Sequence, residues 1–324
     1  MTIDRRNLVL SAAAAGAAFG LSGPLEFLPS ALAQGTATPI NPKGMAFHKF
    51  KVGDIEATTV YDGDGARDHN PAFIKNASID ELKAALKKAG LPDEKTPNSY
   101  TVTIVKVGGK TIMFDAGNGP GGAAGTGKLE ANMKAAGLDP AKLDAIVVTH
   151  FHPDHIFGLM TKENGQIYAN TEIIVPEAEY KFWADPAVIA TLPESRRGLA
   201  QRIQATMPTW KNLKQAAPDK DVVPGVRAVA TFGHSPGHTS YLVSSGTSQL
   251  FVLGDITNVP AINMANPGWH ILFDQDAQMA EATRRRVFDR AIADKTICTG
   301  YHWGMPGAGT IQKDGNGYAL VPVA

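Results

Sequence analysis

The sequence is short of cysteine and has no excess charge of either sign. Its 324 residues include a single cysteine, Cys298, so no disulfide can form within the chain. Lysine plus arginine and aspartate plus glutamate number 31 each, which gives a formal net charge of zero. Proteins that hold nucleic acid through its phosphates need a basic surface. The charge balance therefore predicts that this protein has no nucleic-acid partner.

The sequence also lacks a long uninterrupted apolar run. Residues 11–28 are rich in alanine, glycine and leucine, but glycine and proline interrupt them and Glu26 lies among them. A membrane-spanning helix needs about 20 predominantly apolar residues. We therefore expect no stable membrane anchor. The arginine cluster at residues 284–286 falls on a predicted helix, and we interpret it as a solvated helix face.

Histidine, in contrast, is concentrated in one place. Residues 150–155 have the sequence His-Phe-His-Pro-Asp-His, and they directly follow the apolar residues 145–149. This pattern predicts a buried strand that ends in a loop. Imidazole and carboxylate groups are ligands of borderline divalent metals, of which zinc is the commonest. The pattern thus predicts a metal-binding loop.

Three later segments place histidine or aspartate after further predicted strands. They are the Gly-His-Ser-Pro-Gly-His-Thr sequence at residues 233–239, Gly254-Asp255, and His302. Side chains at the ends of neighbouring strands can converge on one edge of a sheet. We therefore expect one site built from four strand ends.

The ordered set H-x-H-x-D-H, G-H-T, G-D and a late histidine resembles the metallo-β-lactamase superfamily, in its two-metal hydrolase branch. The likeness covers essentially the whole chain after residue 33, and all seven ligand positions are filled. The resemblance implies an α/β protein with the αββα sandwich fold, in which two mixed sheets pack face to face with helices outside.

The resemblance also implies a ligand set for two divalent metal ions, which we expect to be zinc, with manganese, cobalt or iron as alternatives. The first ion would be held by His150, His152 and His238, the second by Asp154, His155 and His302, and Asp255 would bridge them. His234 competes with His238, and the family pattern favours His238 as the ligand and His234 as its support.

Asp115 ends another predicted strand. By the resemblance it would orient a ligand histidine, a role that metal sites usually contain. The alternative is an Asx turn, in which the carboxylate satisfies its own loop. Both interpretations are compatible with the sequence.

The ligand set implies hydrolysis by two metals. Such ions share a water and lower its pKa toward ~7, so that a bridging hydroxide attacks a carbonyl or phosphoryl centre. Asp154 and Asp255 are the expected catalytic carboxylates, which pass the proton onward. No serine or cysteine nucleophile is required.

Within the superfamily, the likeness is greatest to exported hydrolases of the methyl parathion hydrolase type and to lactonases, judged by His302 and residues 303–307. This implies a small neutral ester-like substrate: a lactone, an aryl ester or a phosphotriester. The polar segment 62–76 has few bulky apolar groups, which favours lactone or carboxylic ester hydrolysis. The alternatives are an iron-dependent sulfur oxidoreductase of the same fold and a β-lactamase.

The N-terminus has the pattern of an export signal. Arg5 and Arg6 precede the alanine-rich stretch, and Ala31-Leu32-Ala33 fits a cleavage site. We predict a twin-arginine signal peptide at residues 1–33 and one hydrolase domain at residues 34–324. The protein would then be periplasmic or secreted, and the export of folded protein suits a metal site assembled before translocation.

The rest of the chain shows a strand and helix pattern with two departures. Residues 47–61 and 100–115 each predict two strands with a glycine turn, and residues 274–293 predict a long helix. The polar segment 62–76 and an insertion at residues 184–225, whose role stays open, depart from the pattern. We take four nearby aromatic residues as substrate-pocket candidates: Phe73, Phe182, Trp183 and Trp210. A homodimer is common in the resembling group.

Overall fold

The structure, a computed structural model, describes residue 41 and residues 44–324. The predicted signal peptide at residues 1–33 and its cleavage site after Ala33 lie outside the described residues. Two seven-stranded sheets form the centre of the described chain. No helix within residues 44–324 is long and apolar enough to span a bilayer.

The first sheet contains seven strands whose spatial order follows the chain. They are β1 (Phe47–Val52), β2 (Ile55–Asp64), β3 (Ser99–Val107), β4 (Lys110–Phe114), β5 (Ala145–Val147), β6 (Glu172–Pro176) and β7 (Leu213–Ala216). Strands β1 to β4 pair antiparallel, whereas β4 to β7 pair parallel. The predicted two-residue turn between β3 and β4 is present, with φ of 57° at Gly108 and 77° at Gly109. Positive φ at both positions is what a type I′ hairpin turn requires, and glycine supplies it without strain.

The second sheet contains the other seven strands, again in chain order. They are β8 (Asp221–Val223), β9 (Val226–Ala230), β10 (Thr239–Ser245), β11 (Ser248–Val252), β12 (Ile297–Thr299), β13 (Ala308–Asp314) and β14 (Gly317–Pro322). All neighbours pair antiparallel except β11 and β12, which are parallel. Both sheets are therefore mixed.

Helices flank the sheets. The α-helices are α1 (Ile79–Lys88), α2 (Leu129–Ala135), α3 (Pro153–Ile156), α4 (Glu177–Ala184), α5 (Val188–Thr191), α6 (Glu194–Thr206) and α7 (Ala277–Ala293). Short 3-10 turns lie at Gly119–Gly121, Pro140–Lys142, Phe157–Leu159 and Met207–Thr209, and a π-helical turn at Pro260–Met264. Helix α1 begins with a capping box, in which Glu81 N–H donates to Ser78 Oγ and Ser78 N–H donates to the Glu81 carboxylate.

Apolar layers between the sheets and on their outer faces hold this arrangement together. Between the sheets, Ile112 and Val147 of the first pack with Tyr241 and Val252 of the second. The outer face of the first sheet packs against α2, α4 and α6, and the outer face of the second packs against α7. The order helix, sheet, sheet, helix is the αββα sandwich, so the fold prediction is confirmed.

The insertion at residues 184–225 has a structural role. It forms α5 and α6, and then β7 and β8, which are the edge strands of the first and second sheets. The chain thus crosses from one sheet to the other within this segment. Its helices pack on the first sheet through Ala200 and Ile203.

The interpretation of residues 284–286 as a solvated face was wrong for Arg284. Its side chain is fully buried, and Ala280, Val287 and Phe288 on the same helix are also buried. Arg284 follows Ala280 by four residues and precedes Phe288 by four, so helical periodicity places it on the core face. Met279, on the same helix, is 37% exposed.

Candidate metal centre

Four strand ends deliver the candidate ligands to one edge of the sandwich. The histidine-rich loop at residues 150–155 follows β5, and His234 follows β9. Asp255 follows β11, and His302 follows β12. Because β5 belongs to the first sheet and the other three strands to the second, the site lies at the junction of the two sheets.

The ligand atoms form two adjacent groups. Within each group the atoms lie within 4.8 Å of one another, and the groups are His150, His152, His234 and Asp255, and Asp154, His155 and His302. Asp255 contacts both, because its Oδ2 lies 3.4 Å from His234 Nε2 and 3.0 Å from His302 Nε2. Its Oδ1 lies 3.3 Å from His155 Nε2. Asp255 therefore has the central position that a bridging ligand needs.

The residues present fit two divalent cations. In the first group, His152 Nδ1 lies 2.9 Å from both His150 Nε2 and His234 Nε2. In the second, His155 Nε2 is buried without a hydrogen-bond partner, as is Asp255 Oδ1 beside it. Buried polar atoms normally have partners, and converging imidazole and carboxylate groups are the donors that zinc and similar ions accept.

The far nitrogens of the ligand histidines are fixed by other groups. His302 Nδ1–H donates to the Ser99 carbonyl oxygen at 2.7 Å, and His234 Nδ1–H donates to Asp274 Oδ1 at 2.9 Å. His155 Nδ1–H donates to Asp115 Oδ2 at 2.8 Å. These bonds set the tautomer, and they leave a lone pair on each Nε2 for a metal ion.

Asp115 lies where the sequence analysis placed it. It adopts a φ of 64° at the end of β4 and is buried. Besides the His155 ring, it accepts hydrogen bonds from the N–H and hydroxyl of Thr149, whose Oγ1 lies 3.0 Å from His150 Nδ1. Asp115 therefore orients one ligand histidine directly and a second through Thr149.

The structure reverses the expected roles of His234 and His238, so the assignment of His238 to the first metal is corrected. Both nitrogens of His238 are already used: Nε2 accepts from the Asp255 N–H at 3.0 Å, and Nδ1 contacts Thr231 Oγ1 at 2.8 Å. Burial lowers the pKa of His238 to about 3, so its ring is neutral. His234 instead directs Nε2 into the first group.

This reversal predicts different losses from two alanine substitutions. His234→Ala is expected to lower the affinity for one metal ion by more than the roughly 10–100-fold loss that is typical when a supporting residue is removed. His238→Ala leaves the buried Asp255 N–H without an acceptor, and we expect it to lower the stability of the chelated protein by about 1–3 kcal/mol. Metal analysis of both variants measures the loss of the ion, and thermal unfolding of the chelated proteins measures the loss of stability. Loss of an ion from His238→Ala alone would restore the original assignment.

Glu179 is a buried carboxylate that the sequence analysis missed. It accepts from Phe151 N–H at 3.0 Å, Gly237 N–H at 2.8 Å and Ser235 Oγ at 2.7 Å, and also from Trp183 Nε1–H at 2.7 Å. Burial raises its pKa, and these hydrogen bonds oppose the rise. Glu179 therefore joins the loop after β5 to the loop after β9. In the sequence it resembles an ordinary helical glutamate.

A cavity of about 380 Å³ opens over the two groups. Besides five ligand-group residues, its wall includes polar Asn98, Tyr100, Asn118 and Asn258, apolar Phe157, Leu199 and Phe273, and cationic Arg67 and Arg196. These residues come from segments far apart in the chain, and no local pattern connects them.

None of the four aromatic pocket candidates lines this cavity. Trp183 is fully buried, Trp210 is buried in the core and Phe182 packs edge-on against Trp183. Phe73 lies behind the wall, where its ring meets Phe273 at 5.8 Å. Trp183 and Trp210 fill the interior, and the half-buried Phe182 and Phe73 pack against its apolar side chains.

The two groups differ in electrostatic character. Burial, followed by neighbouring imidazoles, lowers the pKa values of His150 and His152. At His155 burial is outweighed by Asp255, Asp115 and Asp154, which raise its pKa. Asp154 is itself held ionised: although burial opposes it, His155 and His302 lower its pKa to about 2. The second group is therefore a place where positive charge is stabilised.

The sequence of this chain is similar to those of N-acyl homoserine lactonases. A Bacillus cereus N-acyl homoserine lactonase is 33% identical over 121 residues, 37% of this chain and 41% of that protein. A Bacillus sp. N-acyl homoserine lactonase is 30% identical over 165 residues, 51% of this chain and 58% of its own length. The matched segments thus span between two fifths and three fifths of these relatives.

The structural match is more extensive. AidC, described as a dizinc quorum-quenching lactonase and solved in complex with a product, superposes with a TM-score of 0.80 at 26% identity. The match covers 86% of this chain and 98% of AidC. The family model of the metallo-beta-lactamase superfamily matches residues 96–294, which include His150, His234 and Asp255. The two histidine and aspartate groups at the junction of an αββα sandwich thus agree with the family match, and this chain belongs to the metallo-beta-lactamase superfamily.

Proposed function

We propose that this protein is a hydrolase that uses two divalent metal ions to cleave an ester bond, with lactones as the favoured substrates. One observation carries the proposal: two ligand groups that share Asp255 form the floor of a cavity large enough for a small molecule. The match to N-acyl homoserine lactonases supports the choice of lactones. The polar wall residues also suit an ester better than a purely apolar substrate.

Zinc is the metal that we propose for both groups. The described donors are imidazole nitrogens and carboxylate oxygens, with the thiol of Cys298 buried elsewhere in the second sheet. Bound divalent ions would polarise the ester carbonyl and lower the pKa of a water toward ~7. The chain's own side chains must then orient the water and the ester.

Asp154 and Tyr100 are the side chains best placed for this work. Asp154 lines the cavity and is ionised, so it accepts a hydrogen bond from the attacking water and takes part in moving its proton. The Tyr100 hydroxyl accepts from Asn98 Nδ2 at 2.6 Å, and burial raises its pKa, so it keeps a proton to donate. Tyr100 is therefore positioned to bind the substrate carbonyl oxygen while water adds to the carbon and the ester C–O bond breaks.

A chelator experiment on a substrate panel tests the proposal. The panel contains a δ-lactone, an acyl-homoserine lactone, an aryl acetate, an aryl phosphotriester and a cephalosporin. We expect the highest kcat/KM on a lactone, loss of turnover with chelator, and recovery when zinc is added back. Metal analysis of the purified protein is expected to give two zinc ions per chain. One iron ion per chain and no hydrolysis of any substrate would favour the sulfur oxidoreductase instead.

A further inference from the structure

The cavity wall carries two arginines without carboxylate partners. Arg67 and Arg196 both line it. The arginine ion pairs found in residues 44–324 involve other side chains: Arg284, Arg285 and Arg290. Neither guanidinium of the cavity wall is therefore paired directly with a carboxylate of the described chain.

Phe273 holds both guanidinium groups. Its carbonyl oxygen accepts from Arg196 Nη2 at 3.1 Å, and its ring lies 5.2 Å from the Arg67 guanidinium carbon. Arg67 Nη2 also approaches the Tyr100 hydroxyl at 3.5 Å. A guanidinium has five N–H donors in a rigid fork, so most donors of each arginine stay available to a ligand.

The nearby carboxylates are already occupied. Asp274 follows Phe273 in the chain, but its oxygens are bonded to His234 and Arg284. The two acidic residues in the cavity, Asp154 and Asp255, belong to the ligand groups. Arg196 is half-buried in the first turn of α6. Asp274 acts on Arg196 only at a distance. A partly desolvated cation without a directly bonded counter-ion is unfavourable, and an incoming anion would relieve that cost.

We propose that Arg196 and Arg67 bind an oxyanion carried by the substrate, so that the preferred ester or lactone bears a carboxylate or a similar group away from the bond that is cleaved. This inference rests on the proposed hydrolase function, and it differs from the neutral ester-like substrate that the resemblance implies. Planar guanidinium groups suit carboxylates because two parallel N–H donors match the two oxygens.

A matched pair of esters tests the charge preference in the metal-loaded enzyme. 4-Nitrophenyl butyrate and mono-4-nitrophenyl glutarate share the same acyl chain, and the glutarate ends in an added carboxylate. We expect kcat/KM to be at least about tenfold higher for the glutarate. The advantage is expected to shrink as salt is added, because salt screens the attraction. Equal rates for the two esters would overturn the inference.

Variants of neighbouring arginines assign the effect to one side chain. Arg196→Gln is expected to lower the glutarate-to-butyrate ratio at least about tenfold, whereas Arg196→Lys keeps part of it because the charge remains. Arg197→Gln is the matched control, since Arg197 is exposed on the same helix and its Nε donates to the Leu192 carbonyl at 3.1 Å. An equal loss of the ratio in Arg197→Gln would contradict the assignment.

Calorimetric titration with glutarate separates this inference from the proposed function. We expect glutarate to bind wild type and Arg197→Gln equally, and to bind Arg196→Gln at least about tenfold more weakly. Hydrolysis of neither ester and of no substrate in the panel would refute the hydrolase function, while the titration would still decide whether Arg196 binds an oxyanion. Equal binding to all three proteins would refute the anion site even if both esters were hydrolysed.

Discussion

Asp255→Ala is expected to lose metal occupancy and to lower kcat by at least about a thousandfold. Asp255 contacts His234 of the first ligand group and His155 and His302 of the second. Removing its carboxylate takes one donor from each group. Metal ions contribute several kcal/mol of transition-state stabilisation, and each 1.36 kcal/mol corresponds to tenfold in rate. Metal content after gel filtration and the initial rate on the best lactone measure the two losses.

Asp54→Ala is the control for this substitution. Asp54 is an exposed residue between β1 and β2, outside both ligand groups. We expect this variant to keep both ions and the full rate. Thermal unfolding of the chelated proteins will show whether Asp255→Ala still folds. Two ions and an unchanged kcat in Asp255→Ala would refute the bridging position.

Arg284→Met is expected to lower the melting temperature by about 10 °C. Arg284 is buried, and its guanidinium donates to Asp274 Oδ2 at 3.1 Å and to the carbonyl oxygens of Ile256 and Pro267 at 2.8 and 2.7 Å. Removing one partner of a buried ion pair costs about 3–5 kcal/mol. At about 2–4 °C per kcal/mol for a domain of this size class, the shift is measurable by calorimetry.

A double-mutant cycle with Asp274→Asn tests the cause. If the cost comes from leaving the Asp274 carboxylate buried and unpaired, the double variant will be more stable than the sum of the single losses predicts. Arg285→Met is the matched control, because Arg285 pairs with Glu281 at a partly exposed position. Exposed pairs contribute about 0–1 kcal/mol. An equal shift in Arg285→Met would contradict the ion-pair explanation.

The strand ends and the ligand types were predictable because the signals are local. The histidines at residues 150–155 directly follow the apolar residues 145–149. Asp255 and His302 likewise each lie just after an apolar strand. The choice between His234 and His238 was not predictable, because both histidines lie in one short loop. Only the path of that loop decides which ring faces His152 and which lies beneath Asp255.

The supporting and cavity residues depend on contacts between distant segments. Arg284 reaches Asp274, which in turn holds His234, and helical periodicity alone cannot identify such a chain of partners. An arginine on a core face is also an exception to the usual distribution of charge. Likewise, Arg67 and Arg196 meet at Phe273 only after folding. Sequence patterns predict which face a residue occupies, but not which partner neutralises it.

Because the chain crosses between the sheets within residues 184–225, the molecule consists of two consecutive half-chains, and each contributes only part of each ligand group. The first half supplies His150 and His152 to one group, and Asp154 and His155 to the other. The second half supplies His234 and Asp255 to the first of these groups and His302 to the second. Any ion held there would join the halves as a crosslink does, and its binding free energy would add to the affinity of one half for the other. In a chain without disulfides, the ions would supply the cross-links that disulfide bonds provide in many exported proteins.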